Sequence, residues 1–202
     1  SRESGISVKG RCRTEITAVS DKRCLSEADR QQPFRMAGII PEGQNGETRM
    51  KKVVKFGGSS LASTRQFKKA GEIVRSDKTR RYVVPSAPGK RNDKDEKVTD
   101  MLYACYDAAS AGTAYKKLLN RIKDRYLEII DGLGLNLNLD YEFDRIEENF
   151  VKGAGRDYAA SRGEYLNGLV MASYLGYEFI DAAEVIFFDA LCNFESDTTN
   201  KE

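Results

Sequence analysis

The sequence of 202 residues contains no histidine and no tryptophan. Because Ser-His-Asp and Cys-His catalysis both use an imidazole base, neither can operate in this chain. Zinc sites of the HExxH type, and sites built from cysteine and histidine pairs, are excluded for the same reason. If the chain is an enzyme, its chemistry must run on Lys, Arg, Asp, Glu, Ser, Thr, Tyr, Cys or backbone amides.

Cysteine is scarce as well, with four residues at positions 12, 24, 105 and 192 and no CxxC pair. This spacing predicts free thiols in a reducing, cytoplasmic compartment and favours neither a zinc knuckle nor a disulfide framework. No stretch is long and apolar enough for a signal-peptide core or a transmembrane segment. A net charge of +2 is too small to indicate a nucleic acid or an anionic membrane as a partner.

The first quarter of the chain differs from the rest in charge and in pattern. Residues 1–49 hold nine Lys+Arg and seven Asp+Glu, so they carry the whole net charge of +2. They show no sustained helical or strand period, whereas an apolar strand begins immediately after Met50, Lys51 and Lys52. We therefore expect residues 1–49 to be a weakly structured N-terminal extension and residues 50–202 to form the folded unit.

From residue 50 onwards the hydrophobic pattern predicts alternating strands and helices. Strands are predicted at 53–56, 82–84, 178–180 and 185–188, and helices at 63–76, 98–111, 114–131, 140–152 and 155–175. The clearest of these helices, 114–131, has an apolar stripe formed by Leu118, Leu119, Ile122, Tyr126, Ile129 and Ile130. Such an alternation is typical of an α/β layered sandwich with a mainly parallel sheet.

The sharpest local signal is the segment VVKFGGSSL at 53–61, in which a lysine inside an apolar strand is followed by two glycines. Glycine lets backbone N–H groups approach phosphate oxygens without a Cβ in the way, and a following helix adds further amide donors. Lys55 would place a full positive charge near a transferring phosphoryl group. The pattern is neither a Walker A loop nor GxGxxG, and on spacing alone a plain tight turn explains it as well.

Segment 53–61 resembles, at every position, the signature of the aspartate kinases in the amino-acid kinase family. Four further segments are similar to motifs of that family and follow in the same order. They are VPSAPG at 84–89, KVTDML at 97–102, SRGEYL at 161–166 and ASYLGYEFIDAAE at 172–184. The resemblance covers about residues 50 to 200 and implies the N-terminal, substrate- and phosphate-binding part of an amino-acid kinase domain.

The resemblance implies transfer of the γ-phosphoryl group of MgATP to the β-carboxylate of L-aspartate, giving 4-phospho-L-aspartate for lysine, threonine and methionine biosynthesis. It implies that the phosphates are bound by Lys55, Phe56, Gly57, Gly58 and Ser59. It implies that the amino acid is bound by Ser86, Thr99 and Glu164, the last of which would face the ammonium group. Lys55 would act catalytically by stabilising charge on the transferring group. Magnesium enters with ATP and is assigned no protein ligand, and the family pattern is compatible with a homo-oligomer.

Two features depart from the family pattern. Pro85 stands where the family has a β-branched residue, and in a central strand it would remove a ladder hydrogen bond and shift Ser86. The chain also ends at Glu202, before the half of the family's kinase domain that supplies most of the nucleotide site. The resemblance therefore predicts a truncated kinase domain that is poorly stable alone and inactive.

Two alternatives to an aspartate kinase stay open. One is a non-catalytic remnant that acts only as a binding or interaction module. The other is a different amino-acid kinase, such as an acetylglutamate or glutamate 5-kinase, although KFGGSSL at 55–61 differs from the lysine-glycine loops of those enzymes. Release of ADP from MgATP in the presence of L-aspartate distinguishes an aspartate kinase from both.

Overall fold

The computed structural model describes residues 18–21, 50–189 and 193–200. Its four-stranded sheet has the order β2-β3-β1-β4, with strands β1 Ala18–Asp21, β2 Lys52–Phe56, β3 Arg80–Pro85 and β4 Tyr177–Ile180. β2 and β3 are parallel, and β1 is antiparallel to both β3 and β4. Since β2, β3 and β4 run in one direction, the predicted α/β fold with a mainly parallel sheet is confirmed, with one antiparallel strand inserted.

Helices connect and cover these strands. They are α1 Thr64–Arg75, α2 Val98–Ser110, α3 Lys116–Leu133, α4 Asp140–Val151, α5 Arg156–Leu175 and the single turns α6 Ala182–Val185 and α7 Ser196–Thr199. The five predicted helices are confirmed, each within a few residues of its expected ends. None of the helices in the described residues combines the length and the apolar character needed to cross a membrane.

Strand β1 lies within the segment that the sequence predicts to be weakly structured. It pairs through its backbone with both neighbours, Val19 facing Val83 of β3 and Ala18 facing Ile180 of β4. The residues around β1 show no sustained apolar alternation, which explains why the pattern did not indicate a strand there. The rest of the segment lies outside the described residues, and the division at residue 50 stays a prediction.

The core lies between the helices and one face of the sheet. The predicted apolar stripe of α3 contributes several of its largest buried side chains. The fully buried ones include Phe67, Leu102, Ile122, Tyr126, Ile129, Phe150, Leu166 and Met171. Cys105 is a free thiol, as the cysteine spacing predicts, and it is buried in this core, where burial raises its pKa to about 11. The other three cysteines lie outside the described residues.

The strand predicted at 185–188 is wrong. The chain after β4 forms the single helical turn α6 because the Asp181 side chain accepts a hydrogen bond from the Ala183 N–H at 3.0 Å and so caps the turn. Beyond it, Phe188 makes an isolated antiparallel bridge to Phe194. The apolar run at 185–188 therefore reflects partial burial of aromatic side chains, and the local capping group decides the backbone conformation.

Candidate active site

The parallel strands β2 and β3 end at the same edge of the sheet, which brings the loops that follow them side by side. Phe56 of β2 lies opposite Pro85 of β3, and the Ser86 N–H donates to the Phe56 carbonyl at 2.9 Å. In open α/β sheets, ligands bind outside the carboxyl ends of the strands. The two loops predicted to contact substrate therefore lie where the fold favours a binding site.

Pro85 does not have the effect on Ser86 that the sequence predicts. Successive N–H groups of a strand point to opposite sides, and the Ser86 N–H points towards β2. The missing N–H of Pro85 therefore falls on the side away from β2, at the last position of β3. The ladder between β2 and β3 stays intact, because the N–H that proline lacks is not one that faces β2.

The two loops touch through their backbones. The Gly89 N–H donates to the Gly58 carbonyl at 2.8 Å. A Cβ on Gly58 would lie 2.7 Å from the Ala87 carbonyl oxygen, and a Cβ on Gly89 would lie 2.7 Å from the carbonyl carbon of Gly58. Both positions require glycine because of this close approach, so the second glycine of the Gly-Gly pair fixes the spacing between the loops.

Helices α2 and α5 bring the remaining predicted residues to these loops. The Val98 N–H donates to the Pro88 carbonyl at 3.1 Å, which sets the start of α2 and places Thr99 beside the loop. Glu164 projects from α5, and its Oε1 accepts a hydrogen bond from the Ala87 N–H at 3.2 Å. A carboxylate is thereby held at the rim of the same space that Thr99 enters.

An open cavity of about 440 Å³ lies between these four segments. Five residues predicted from the sequence line it, namely Gly58, Ser59, Ser86, Thr99 and Glu164. Its volume is within the range typical of small-molecule sites. A smaller cavity of about 220 Å³ elsewhere contains none of the predicted residues.

Lys55, Phe56 and Gly57 do not line this cavity. Val54 and Phe56 pack against the core, so alternation along β2 places the Lys55 side chain on the opposite face, where it is exposed. Phe56 contributes its carbonyl to hold Ser86, and the Gly57 carbonyl accepts from the Ser60 N–H at 3.0 Å. Phe56 and Gly57 therefore shape the loop, and Lys55 has an exposed side chain at the end of β2.

Helix α1 begins too far along the chain for its first backbone N–H groups to lie next to the Gly-Gly pair. A single 3-10 turn, Gly58–Leu61, comes first, and α1 starts at Thr64. The N-cap residue of α1 is Ser63, and its side chain makes no capping hydrogen bond. The N-terminus of α1 is therefore displaced from the cavity. The donors available to a ligand there are the backbone N–H groups of the loop.

Sequence reasoning missed two cations that line the cavity. Lys90 and Lys97 bracket the charged loop between β3 and α2, and both are exposed. Neither forms an ion pair with another residue that the structure describes. In a charged stretch such as KRNDKDEK, the sequence alone cannot separate lysines that face a site from those that face solvent.

Asn167 is a further residue that the sequence did not single out. It is completely buried in α5, three residues after Glu164, and its Nδ2 donates to the Ser86 carbonyl at 2.6 Å. Its Oδ1 is buried without a partner among the described residues. The sequence does show a polar amide within an apolar helical stretch. Burying such a group costs free energy unless it is hydrogen-bonded, so this pattern could have indicated a specific role.

The polar groups that line the cavity suit a ligand with phosphate or carboxylate groups. Within residues 50–189 and 193–200, no group of three or more Cys, Asp or Glu side chains converges on one point. The cavity instead combines one carboxylate with two lysines, three hydroxyl groups and glycine backbone. Such a set can bind a zwitterion and a polyanion next to one another.

No protein-family model matches the chain. Over 145 residues, 66% of the chain, the sequence is 38% identical to aspartokinase 3 of Bacillus subtilis (strain 168), of which it covers 31%. The crystal structure of Clostridium acetobutylicum aspartate kinase matches with a TM-score of 0.72 and 48% identity, over 75% of this chain and 35% of that one. A structure of E. coli aspartokinase III with aspartate and ADP matches with a TM-score of 0.48 and 25% identity, over 61% and 28%. The chain thus spans about a third of the length of these relatives.

Proposed function

The chain is a member of the aspartate kinase family that spans about a third of its relatives' length, and we propose that it binds L-aspartate and the phosphates of MgATP. The observation that carries this proposal is the convergence of Ser86, Thr99 and Glu164 on one cavity with the Gly-Gly loop. These three residues and the loop come from four separate segments of the sequence. A plain tight turn after β2 would not explain why all four meet.

Glu164 is proposed to bind the α-ammonium group of aspartate, since a carboxylate is the natural partner of a cationic head. Ser86 and Thr99 would donate hydroxyl hydrogen bonds to the carboxylates of the amino acid. The Ala87 N–H already donates to Glu164 and fixes its orientation. Asn167 would act behind this layer by holding the Ser86 carbonyl.

Gly58 and Ser59 are proposed to face the phosphates, with Lys55, Lys90 and Lys97 supplying positive charge. The proposed reaction forms a bond between the aspartate β-carboxylate oxygen and the γ-phosphorus and breaks the bond from that phosphorus to the leaving ADP oxygen. Because the β-carboxyl group has an unperturbed pKa of about 3.9, it is ionised at neutral pH and needs no general base. A chain without histidine is therefore suited to this chemistry, which relies on positioning and charge.

Magnesium would enter as MgATP and be held by the phosphates, because the described residues offer no carboxylate cluster for it. The aspartate and ATP pools are cytoplasmic, so a cytoplasmic location belongs to the same proposal. Biosynthesis of lysine, threonine and methionine is the pathway that the family resemblance implies. The proposal includes a homo-oligomer, which is tested by measuring the molar mass of the purified chain in solution.

Calorimetric titration with MgADP tests the phosphate side of the proposal. We expect Lys97→Gln to weaken MgADP binding by about tenfold or more, because a hydrogen bond to a charged group is lost. Lys94→Gln is the matched control, since Lys94 is an exposed lysine of the same loop that does not line the cavity. Equal MgADP affinity in the wild type and Lys97→Gln would contradict the assignment of this cation.

Turnover is tested separately from binding, by ADP release from MgATP with L-aspartate. We expect the 202-residue chain to bind without turning over, since it spans only about a third of the length of its relatives. L-glutamate and N-acetyl-L-glutamate serve as competing acceptors for the other amino-acid kinases. Turnover that Lys55→Ala abolishes would overturn the expectation of inactivity and support the role of Lys55.

A further inference from the structure

A buried arginine of α3 connects three segments that surround the cavity. The Arg125 side chain is 5% exposed, and its Nη1 lies 2.5 Å from Oδ2 of Asp95 in the loop before α2. Its Nη2 donates to the carbonyls of Ala62 at 2.9 Å and Gly89 at 2.8 Å. Ala62 follows the 3-10 turn of the Gly-Gly loop, and Gly89 ends the neighbouring loop.

The position of Arg125 on its helix makes these contacts informative. Arg125 follows Ile122 by three residues and precedes Ile129 by four, so it lies on the apolar stripe of α3. A leucine or methionine there would pack without cost, whereas a buried guanidinium must be desolvated and matched. Buried ion pairs of this kind are weak sources of stability, so the presence of this one calls for a different explanation.

We infer that Arg125 and Asp95 form a clamp that fixes the Gly-Gly loop against the Ser86–Gly89 loop, which makes Arg125 a positioning residue for the bound phosphates. The planar fork of the guanidinium suits this task, because it donates in several fixed directions at once. Its two carbonyl acceptors lie on the two loops that touch through Gly58 and Gly89. The effect on phosphates rests on the proposed function, while the clamp itself does not.

A second arginine holds the same carboxylate from the solvent side. Arg91 contacts Oδ2 of Asp95 through its backbone N–H and its Nε, both at 2.9 Å, and its Nη1 lies 2.5 Å from Glu128 of α3. Arg91 is 38% exposed and Asp95 13%, so the Arg125 contact is the buried half of the network. Asp95 is thus anchored to α3 from two directions, and with it the loop that contains Lys90 and Lys97.

Hydrogen exchange in the ligand-free chain tests the clamp directly. We expect Arg125→Met to speed exchange of the Gly89 and Ser60 amides by about tenfold or more, as expected when a buried polar contact is removed. The amides in the middle of α3 and α4 should keep their protection. Arg121→Met is the matched control, since Arg121 lies one turn earlier and pairs with Glu96 at 2.5 Å with both side chains more than half exposed. Unchanged exchange in both loops of Arg125→Met would overturn the clamp.

Two milder variants keep the test valid if Arg125→Met does not fold. Arg125→Lys retains the charge without the fork, and Asp95→Asn retains the shape without the charge. We expect both to speed exchange in the same two loops, because neither can maintain all three contacts. Combining Asp95→Asn with Arg125→Lys should add little to either single change, since the residues act together. Full additivity would show that they act independently and would contradict the clamp.

Ligand binding then separates a positioning role from a purely structural one. We expect Arg125→Lys to weaken MgADP by about tenfold or more and to change L-aspartate affinity by less than about twofold, because Glu164 projects from α5 and Ser86 is held by Asn167 of the same helix. Equal weakening of both ligands would indicate general destabilisation and overturn the positioning role. If the wild-type chain binds neither ligand, the proposed function fails, and the exchange rates still decide whether the clamp exists.

Discussion

Helices α2 to α5 pack through apolar side chains, whereas the loops beside the cavity are joined through backbone atoms and the buried guanidinium of Arg125. In the helical layer, Phe150 contacts Tyr106 and Tyr158 edge-to-face with ring centroids 5.5 and 6.3 Å apart. Contacts of that kind are set by volume and tolerate conservative exchange. Loop contacts depend on direction and on the absence of Cβ atoms, so small changes there have specific effects.

The largest effect on stability is expected from breaking the helical layer. Phe150 is fully buried, and Phe150→Ala should lower the free energy of unfolding by about 3–5 kcal/mol through lost burial and the cavity it leaves. Urea denaturation followed by far-UV circular dichroism measures it. Phe150→Leu, which preserves most of the volume, should cost much less. A loss below about 1 kcal/mol for Phe150→Ala would show that α4 contributes little to the core.

One added methyl group should disrupt the contact between the two loops beside the cavity. In Gly89→Ala the new Cβ would meet the backbone of Gly58 and Ser59 at 2.7 and 2.8 Å, and neither can yield as a side chain does. We expect a loss of about 1–3 kcal/mol in stability together with loss of MgADP binding. Gly57→Ala is the stability control, because Gly57 has a φ of −73° and no atom within 4 Å of an added Cβ. Equal stability of the two variants would contradict the close approach.

Acid should loosen the loop between β3 and α2, which contains Asp95. Arg91 first, and then Arg125, hold the pKa of the Asp95 carboxyl well below its usual range. A lowered folded-state pKa means that this contribution is complete above the unfolded value of about 3.9 and is lost as pH falls below it. Asp95→Asn should therefore remove part of the acid dependence of loop exchange at pH values below about 4. Identical pH profiles for the variant and the wild type would refute this coupling.

The smallest effect belongs to surface charge, which supports neither layer. Lys152 and Glu148 pair at 3.3 Å on α4 with side chains 70% and 68% exposed. Lys152→Gln should change the free energy of unfolding by about 0.3–0.5 kcal/mol at most, and added salt should remove even that. Exposed ion pairs contribute roughly 0–1 kcal/mol to stability, so a change above about 1 kcal/mol would show that this pair belongs to a larger network.

The helices and the direction of most strands could be predicted because their periodicity is local. The stripe of α3 and the strand before the Gly-Gly pair are of this kind. Strand β1 and the turn α6 could not, since β1 lies in a segment without sustained periodicity and one Asp181 hydrogen bond decides the turn. Tertiary context therefore determined the short elements, as expected where propensity is weak.

The candidate site divides in the same way. Gly58, Ser59, Ser86, Thr99 and Glu164 were predicted by resemblance and line one cavity. Arg125 and Asn167 were missed, although each is a polar residue on an apolar helical face. A polar residue on an apolar face indicates a buried polar group, but it does not identify the hydrogen-bond partner. Here the partners are backbone carbonyls more than thirty residues away in the sequence.

Binding of L-aspartate compared with succinate tests the central claim most directly, because succinate lacks only the ammonium group that Glu164 is proposed to bind. We predict that the wild type prefers aspartate and that Glu164→Gln reduces this preference by about tenfold or more, as expected for a lost charged hydrogen bond. Glu148→Gln, which changes an exposed carboxylate of α4, should leave the preference unchanged. Equal affinity of the wild type for the two ligands, or an unchanged preference in Glu164→Gln, would contradict the account.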